Sequence, residues 1–231
     1  MALVHGGKPI VTSGLVLCLD AANRNSYNPG SGTTWTDLSG NGNTGTLTNM
    51  EVPGDYSSTN GGSLIFDGTN EYVEYVDFAA EFNLQPTAGI TVSVWFKTTV
   101  ANTYLINKSS GSGADGYRLF GNANGTMSFA VRSITATTSS AITTGGWLNI
   151  VGTWIPSTSV LIYQNGTQVG SNIDFIPSNI NYPSELLEIG RNASGTQGWN
   201  GSIAQVSIYN RALTAAEIQQ NFNALRSRYS I

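Results

Sequence analysis

The chain has 231 residues and a net charge of -4, with 40% hydrophobic but only 10% charged residues, against about 25% charged in ordinary domains. That length suits one large β domain with a sizeable core, and the low charge with 27 glycines argues against a disordered chain, which needs high charge and few aromatics. Ten basic residues without a cluster argue against nucleic acid or an anionic membrane as partner, and no apolar run approaches the ~20 residues of a membrane span.

Residues 1–13 read as a flexible N-terminal arm, since His5-Gly6-Gly7-Lys8-Pro9 has no period and two glycines; residues 14–231 then form one domain. MALVHGGKPI lacks the basic start and apolar run of a signal peptide, so synthesis in a cytosol without export is expected. Leu15–Asp20 reads as a strand with Cys18, the single cysteine, in the core. Residues 23–49 read as a long loop, pinned to the body by Trp35 and Leu38. Strands are then expected at Ser63–Asp67, Glu71–Val76, Ile90–Thr98, Tyr104–Lys108, Tyr117–Phe120, Thr126–Arg132, Trp147–Ile155, Val160–Gln164, Thr167–Gly170, Leu186–Gly190 and Ser202–Tyr209. Asn165-Gly166 is the best hairpin signal, because a type I′ turn needs φ > 0 at both positions. Thr214 with Glu217 makes a capping box, and Ile218, Phe222 and Leu225 make the apolar stripe of one short C-terminal helix, expected to cover a sheet edge or a loop. Arg226 and Arg228 read as a solvated helix tail. The pattern is all-β, a two-sheet antiparallel sandwich or barrel.

The segments SLIFDGTNEYVEY, ITVSVWFKT, GGWLNIVGTWIPSTSVLIYQNGTQVG and the terminal YNRALTAAEI, in this order, resemble the laminin-G-like, concanavalin-A-like lectin/glucanase family. The resemblance implies a jelly-roll sandwich of two antiparallel sheets, one concave. The opening HGGKPIVTSGLVLCLDAANRNSYNPGSGTTWTDLSGNGNTGTLTN also resembles laminin-G-like proteins of tailed bacteriophages, taken there as virion structural components; bacterial surface proteins share its SGNGN loop. This implies a non-enzymatic virion protein, decorating the capsid or forming a short fibre or tail knob and released by lysis. Its arm would dock on other virion proteins, with homo-oligomers, trimers among them, at symmetric positions. The alternative is a carbohydrate-binding module of a bacterial cell-surface protein.

Hydrolysis of a glucan would need clustered carboxylates on one strand, as in the glucanase run E-x-D-x-x-E, which is missing here. Glu71, Glu74 and Asp77 are three apart, so Glu74 faces away from the other two, and Glu185 and Glu188 also face opposite ways. The only histidine is in the arm. No catalytic residue is therefore assigned. Calcium is the one cofactor the resemblance implies, held by a loop Asp and by acids of the last strand. Asp67 matches the first position, but the last strand has Ala204-Gln205 where the family carries acids. Asp37 and Asn41, with Ser39 between them, place hard oxygens at alternating positions. Both sets also read as turn chemistry. For sugar stacking, Trp95, Trp147 and Trp154 lie inside strands and read as core, while Tyr117 and Trp199, in Gly-rich loop contexts, read as exposed candidates with Asn192 beside them. Host surface glycans are the ligands expected.

Overall fold

A computed structural model describes residues 8–30, 32–75, 88–99, 103–111, 115–180 and 186–231. In chain order the strands are β1 (Leu15–Asp20), β2 (Thr34–Trp35), β3 (Gly45–Thr48), β4 (Tyr56–Ser57), β5 (Ser63–Asp67), β6 (Tyr72–Glu74), β7 (Ile90–Thr98) and β8 (Tyr104–Lys108). They continue with β9 (Tyr117–Gly121), β10 (Met127–Val131), β11 (Ile134–Thr137), β12 (Trp147–Ile155), β13 (Ser159–Gln164), β14 (Thr167–Asn172), β15 (Glu188–Ile189) and β16 (Asn200–Tyr209). One helix, α1 (Ala215–Leu225), follows. Two antiparallel sheets form a sandwich, as the alternation predicts. The first runs β14-β13-β12-β7-β16-β5-β4, with β1 beside β5 on the same edge of β16. The second runs β11-β10-β9-β8-β15-β6-β3-β2.

The core lies between the sheets. Val92, Val94 and Phe96 of β7 point inward from the first. A cross-strand row, Leu47–Val73–Ile189–Ile106–Leu119–Phe129–Ala136, faces them from the second. Ile203 and Val206 of β16 both face the core although three residues apart, an odd spacing for a strand. A β-bulge at Ala204 takes up the extra residue. Asn165 (φ 51°) and Gly166 (φ 81°) join β13 to β14 in the expected left-handed pair. The segment 23–49, expected as loop, contributes β2 and β3; Trp35 is fully buried and Leu38 half-buried. Cys18 is buried, which, with Asp20 next in weight, pushes its thiol up to about 12 and leaves it unreactive.

The helix lies on the outer face of the first sheet, which corrects the expectation of a sheet edge or loop. The outward side chains of that sheet are apolar where α1 sits: Trp95 and Ala204 meet Phe222 and Leu225, and Val151, Tyr163 and Tyr209 meet Leu213 and Ile218. Trp95 stacks between Phe222 (centroids 5.6 Å apart) and Tyr229 (4.2 Å). The tail beyond α1 is not free either. Arg228 Nη1 pairs with Asp20 Oδ1 at 2.7 Å and its Nε donates to the Asn60 carbonyl at 2.9 Å, fastening the C-terminus to β1. Only Arg226 is exposed as the solvated-tail reading has it. Residues 8–13, the described part of the arm, are also tied down. Val11 N donates to Asn221 Oδ1 (2.8 Å), Gln220 Nε2 to the Pro9 carbonyl (2.7 Å) and Tyr209 OH to the Val11 carbonyl (2.9 Å). This stretch does not swing free of α1; His5 and the rest of residues 1–7 lie outside the described residues.

Thr214 Oγ1 accepts from Glu217 N, and Glu217 Oε2 accepts from Thr214 N, which completes the capping box read from the sequence. Arg211 grips the same carboxylate with both terminal nitrogens, at 2.9 and 2.6 Å. That contact holds Glu217 well below the ordinary 4.5, at about 2. A depressed carboxylate stabilises the folded state above its unfolded pKa and ceases to do so as pH falls through its folded one. Glu217→Gln keeps the capping box, which takes Glu or Gln at this position, and removes the Arg211 ion pair, so it is expected to lower stability at pH 7 by about 0.5 kcal/mol. The gap to the parent protein should close as pH drops from about 4.5 to about 2. Thermal melts of both proteins across that range check it.

Candidate functional site

Of the six residues that the sequence put forward, the structure leaves one carboxylate open. Tyr117 and Trp199 are fully buried, so neither is an exposed stacking platform. Trp199 meets Phe96 edge-on inside the core at 5.2 Å. The Gly-rich surroundings that suggested exposure serve close packing: a Cβ on Gly116 would lie 1.7 Å from the Lys108 carbonyl. Asn192 spends its side chain on its own loop. Its Oδ1 accepts from Thr196 N (2.9 Å) and Gln197 N (3.2 Å), and its Nδ2 donates to Thr196 Oγ1 and Gln197 Oε1. Of the tryptophans read as core, Trp154 is, Trp95 is buried beneath α1, and Trp147 is half-buried against Tyr229 with Nε1 on Asn60 Oδ1.

Asp37 and Asn41 do not fit a cation. Asp37 Oδ1 accepts from Cys18 N and Ser39 N, and Oδ2 from Asn43 N and Ser39 Oγ. Asn41 turns its Nδ2 to the Leu15 carbonyl. These donors aim hydrogens at the oxygens a metal would need. The SGNGN loop is thus an Asx-turn hub that pins residues 37–43 to β1. Asp67 is exposed at the β5–β6 turn, where Thr69 N donates to its Oδ1 at 2.6 Å. A hydrogen bond from Glu71 holds Asp67 below the usual range; burial first, and Asp67 second, push Glu71 up. Asp67 N also donates to Glu71 Oε2 at 3.2 Å, which draws the two carboxyls together. They supply two of the six to eight oxygens calcium takes, and no group of three or more His, Cys, Asp or Glu stands together among the described residues.

The outer face of the second sheet brings together Glu74 and Glu188, which the sequence set aside as carboxylates facing apart, with side chains that it did not single out. Its outward row reads Thr46–Glu74–Glu188–Asn107–Arg118–Ala130–Thr135. Glu74 and Glu188 are cross-strand partners, so their carboxyls leave the sheet on the same side. Asp77 and Glu185 lie outside the described residues. Arg191 reaches back to Glu188 Oε1 through Nη2 at 2.5 Å and Nε at 2.8 Å, and its guanidinium lies 3.2 Å from the centre of the Tyr72 ring. The Glu188 side chain is only 8% exposed, and its Oε2 is buried without a hydrogen-bond partner. Burial pushes this carboxyl up, and Arg191 opposes the shift. Farther along the face Tyr104 and Phe120 stack at 5.3 Å, with Arg118 over Phe120. The one local signal for this site was Glu188 and Arg191 three apart around a short apolar strand. The pairing of Glu188 with Glu74 arises only from sheet register.

The row is buried at its middle, where Asn107 gives its Nδ2 to the Ser109 carbonyl and Glu188 and Ala130 are covered; Glu74, Arg118 and Arg191, half-buried around it, supply an acceptor and guanidinium donors of the kind that suit hydroxyl-rich ligands. No curated protein matches the chain. Solved structures do. Domain 4 of AbnA, a GH43 extracellular arabinanase from Geobacillus stearothermophilus in complex with arabinotriose, aligns at TM-score 0.64 and 18% identity over 92% of this chain and 98% of that one. Trypanosoma rangeli sialidase in complex with sialic acid aligns at 0.65 and 17%, over 97% of this chain and 35% of that one. The binding domain of Botulinum neurotoxin DC in complex with rat synaptotagmin II aligns at 0.63 and 14%, over 93% and 52%. The chain therefore spans about a third of the sialidase and half of the toxin domain, and at these identities the likeness is one of fold. The family Laminin_G_3, described as the concanavalin A-like lectin/glucanases superfamily, matches residues 67–219. The sheet order, the buried last strand and this match together make the chain a member of the concanavalin A-like lectin/glucanase superfamily.

Proposed function

We propose that the protein is a non-catalytic glycan-binding module whose ligand lies on the outer face of the second sheet. The observation that carries this is Glu188: a nearly buried carboxylate, gripped on one oxygen by Arg191 and left with the other unpartnered. A buried acceptor in that state lacks a donor worth about 1–3 kcal/mol, and a sugar hydroxyl supplies one once the side chains that cover Oε2 move aside on binding. Arg191, stiffened by Tyr72, keeps the carboxylate in place before the ligand arrives. The AbnA domain with arabinotriose and the sialidase with sialic acid support a carbohydrate ligand by analogy of fold.

The test is an oligosaccharide panel that includes arabinotriose, β-glucan fragments and sialylated sugars, read by calorimetry. Glu188→Gln is expected to weaken binding about tenfold, or 1.4 kcal/mol, and Arg191→Ala by as much. Binding that ignores both substitutions excludes this face. Glu74 and Glu188 are cross-strand partners with Cβ atoms about 4.5–5.5 Å apart, which lets both carboxyls reach one ligand. Release of reducing sugar that Glu74→Gln and Glu188→Gln each abolish would replace binding with hydrolysis. Calcium, the cofactor the family resemblance implies, would be held by Asp67 with Glu71 beside it: a calcium-dependent rise in Tm that Asp67→Asn removes supports it, and identical melts in calcium and chelator overturn it.

For the setting in which the module works, we propose the surface of a virion, as a homo-oligomer attached to capsid or tail proteins through residues 1–13. The support is the resemblance of the opening segment to phage proteins. Immunogold labelling of purified particles tests it, and particles without label would favour the bacterial surface module.

A further inference from the structure

We propose that Phe175 is an aromatic platform for a pyranose ring, at the end of the sandwich away from Asp67. It deepens the glycan reading above and rests on it. In the first sheet the pairs Asp67–Asn200 and Thr98–Gly201 mark one end. Thr91–Tyr209, Ile90–Trp154 and Val160–Asn172 mark the other, from which the chain leaves β14 into residues 173–180.

The base of this loop is clamped. Asn172 Nδ2 donates to the Thr135 carbonyl across the sandwich (3.3 Å), and the Pro177 carbonyl accepts from Ser157 N (3.1 Å) and Trp154 Nε1 (3.2 Å). Ile176 packs on the core and Ile180 is 1% exposed. Between these fixed points Ile173 is 71% and Phe175 95% exposed. A single exposed apolar residue needs no explanation, but the backbone here does. Phe175 has φ +54°, and the other six non-glycine residues with positive φ among the described residues are Asn, Ser or Arg. A bulky aromatic is an outlier there, and such strain persists where the surroundings impose it. The loop packs Ile176 on the core, buries Ile180 and presents a phenylalanine in a backbone conformation suited to glycine.

The chemistry of the tip selects the occupant. Two side chains cover far less than the roughly 1,000 Å² a specific protein interface needs, yet one ring face matches one sugar ring. Asp174 sits exposed between Ile173 and Phe175, and Ser178 and Asn179 are exposed just beyond. A carboxylate in the middle of the tip opposes insertion into a bilayer and accepts from sugar hydroxyls.

Phe175→Gly is the test, on the full chain with the same oligosaccharide panel. It is expected to raise Tm by a few degrees, because glycine relieves the left-handed strain, while weakening the best ligand about tenfold. Phe175→Tyr should keep both Tm and affinity. Unchanged affinity in Phe175→Gly, or a lowered Tm, overturns the proposal. Loss in Phe175→Gly with Glu188→Gln unaffected keeps the platform and removes the Glu188 site; the converse removes the platform alone. A wild-type protein that binds no glycan overturns both. Self-association or vesicle binding that Phe175→Gly abolishes, without glycan binding, assigns the tip to a second copy or a membrane and overturns the sugar.

Discussion

Gly152→Ala should destabilise the protein by about 3 kcal/mol, the upper part of the range for overpacking a core. Gly152 is in the middle of β12 and faces the core, level with Val92 and Ile162. Its backbone conformation is ordinary; space is what it supplies. A Cβ there would lie 2.1 Å from Phe129 Cγ and 2.3 Å from Cδ2. Phe129 enters from β10 of the opposite sheet, so relief requires the sheets to part or the ring to leave its rotamer. For a domain of this size the change lowers Tm by roughly 6–12 °C. Pairing it with Phe129→Ala, which removes Cγ and Cδ2, gives the control. If the clash is the cause, the double variant is more stable than the sum of the single changes predicts. Strict additivity would mean that Gly152 acts through something other than Phe129.

Trp95→Ala should cost about 3–5 kcal/mol, as for other buried aromatic truncations, and should loosen the C-terminal segment first. The indole lies on the outward face of β7, stacked between Phe222 and Tyr229, in the cluster that seats α1 and its tail. Removing it leaves those two rings without their common partner. Hydrogen exchange should accelerate in 215–229 more than in β7–β10, while Trp95→Phe should recover part of the loss. Uniform acceleration through the sandwich would show that α1 unfolds only with the whole.

The strand set was largely legible because strand signals are local. The alternation of β7 and β12 is printed in ITVSVWFKT and WLNIVGTWI, and the predicted bounds of both match the structure. Asn165-Gly166 and the Thr214–Glu217 box were legible for the same reason, since each depends on residues within four positions. Short strands such as β2, β4 and β11 were not, because pairing with a neighbour, rather than an apolar pattern, makes them strands.

The candidate site was almost illegible. Tyr117 and Trp199 looked exposed because they follow glycines, but glycine next to an aromatic serves a turn and a tight core equally well. Asp37 and Asn192 looked like ligands because loop oxygens hold metals and sugars, but the same oxygens fold their own loops. Phe175 drew no notice, since nothing in NIDFIPSN separates Ile176, which turns inward, from Ile173 and Phe175, which do not.

By itself the sequence determined the class, the turns, the cap and the inward face of each long strand, all of which follow from side-chain period and from the φ/ψ that a residue tolerates. Only the tertiary structure decided that α1 covers a face rather than an edge, that Glu74 stands opposite Glu188, and that Phe175 is held in solvent. Those three depend on register and on clamps between residues far apart in the chain, where no local pattern carries the information.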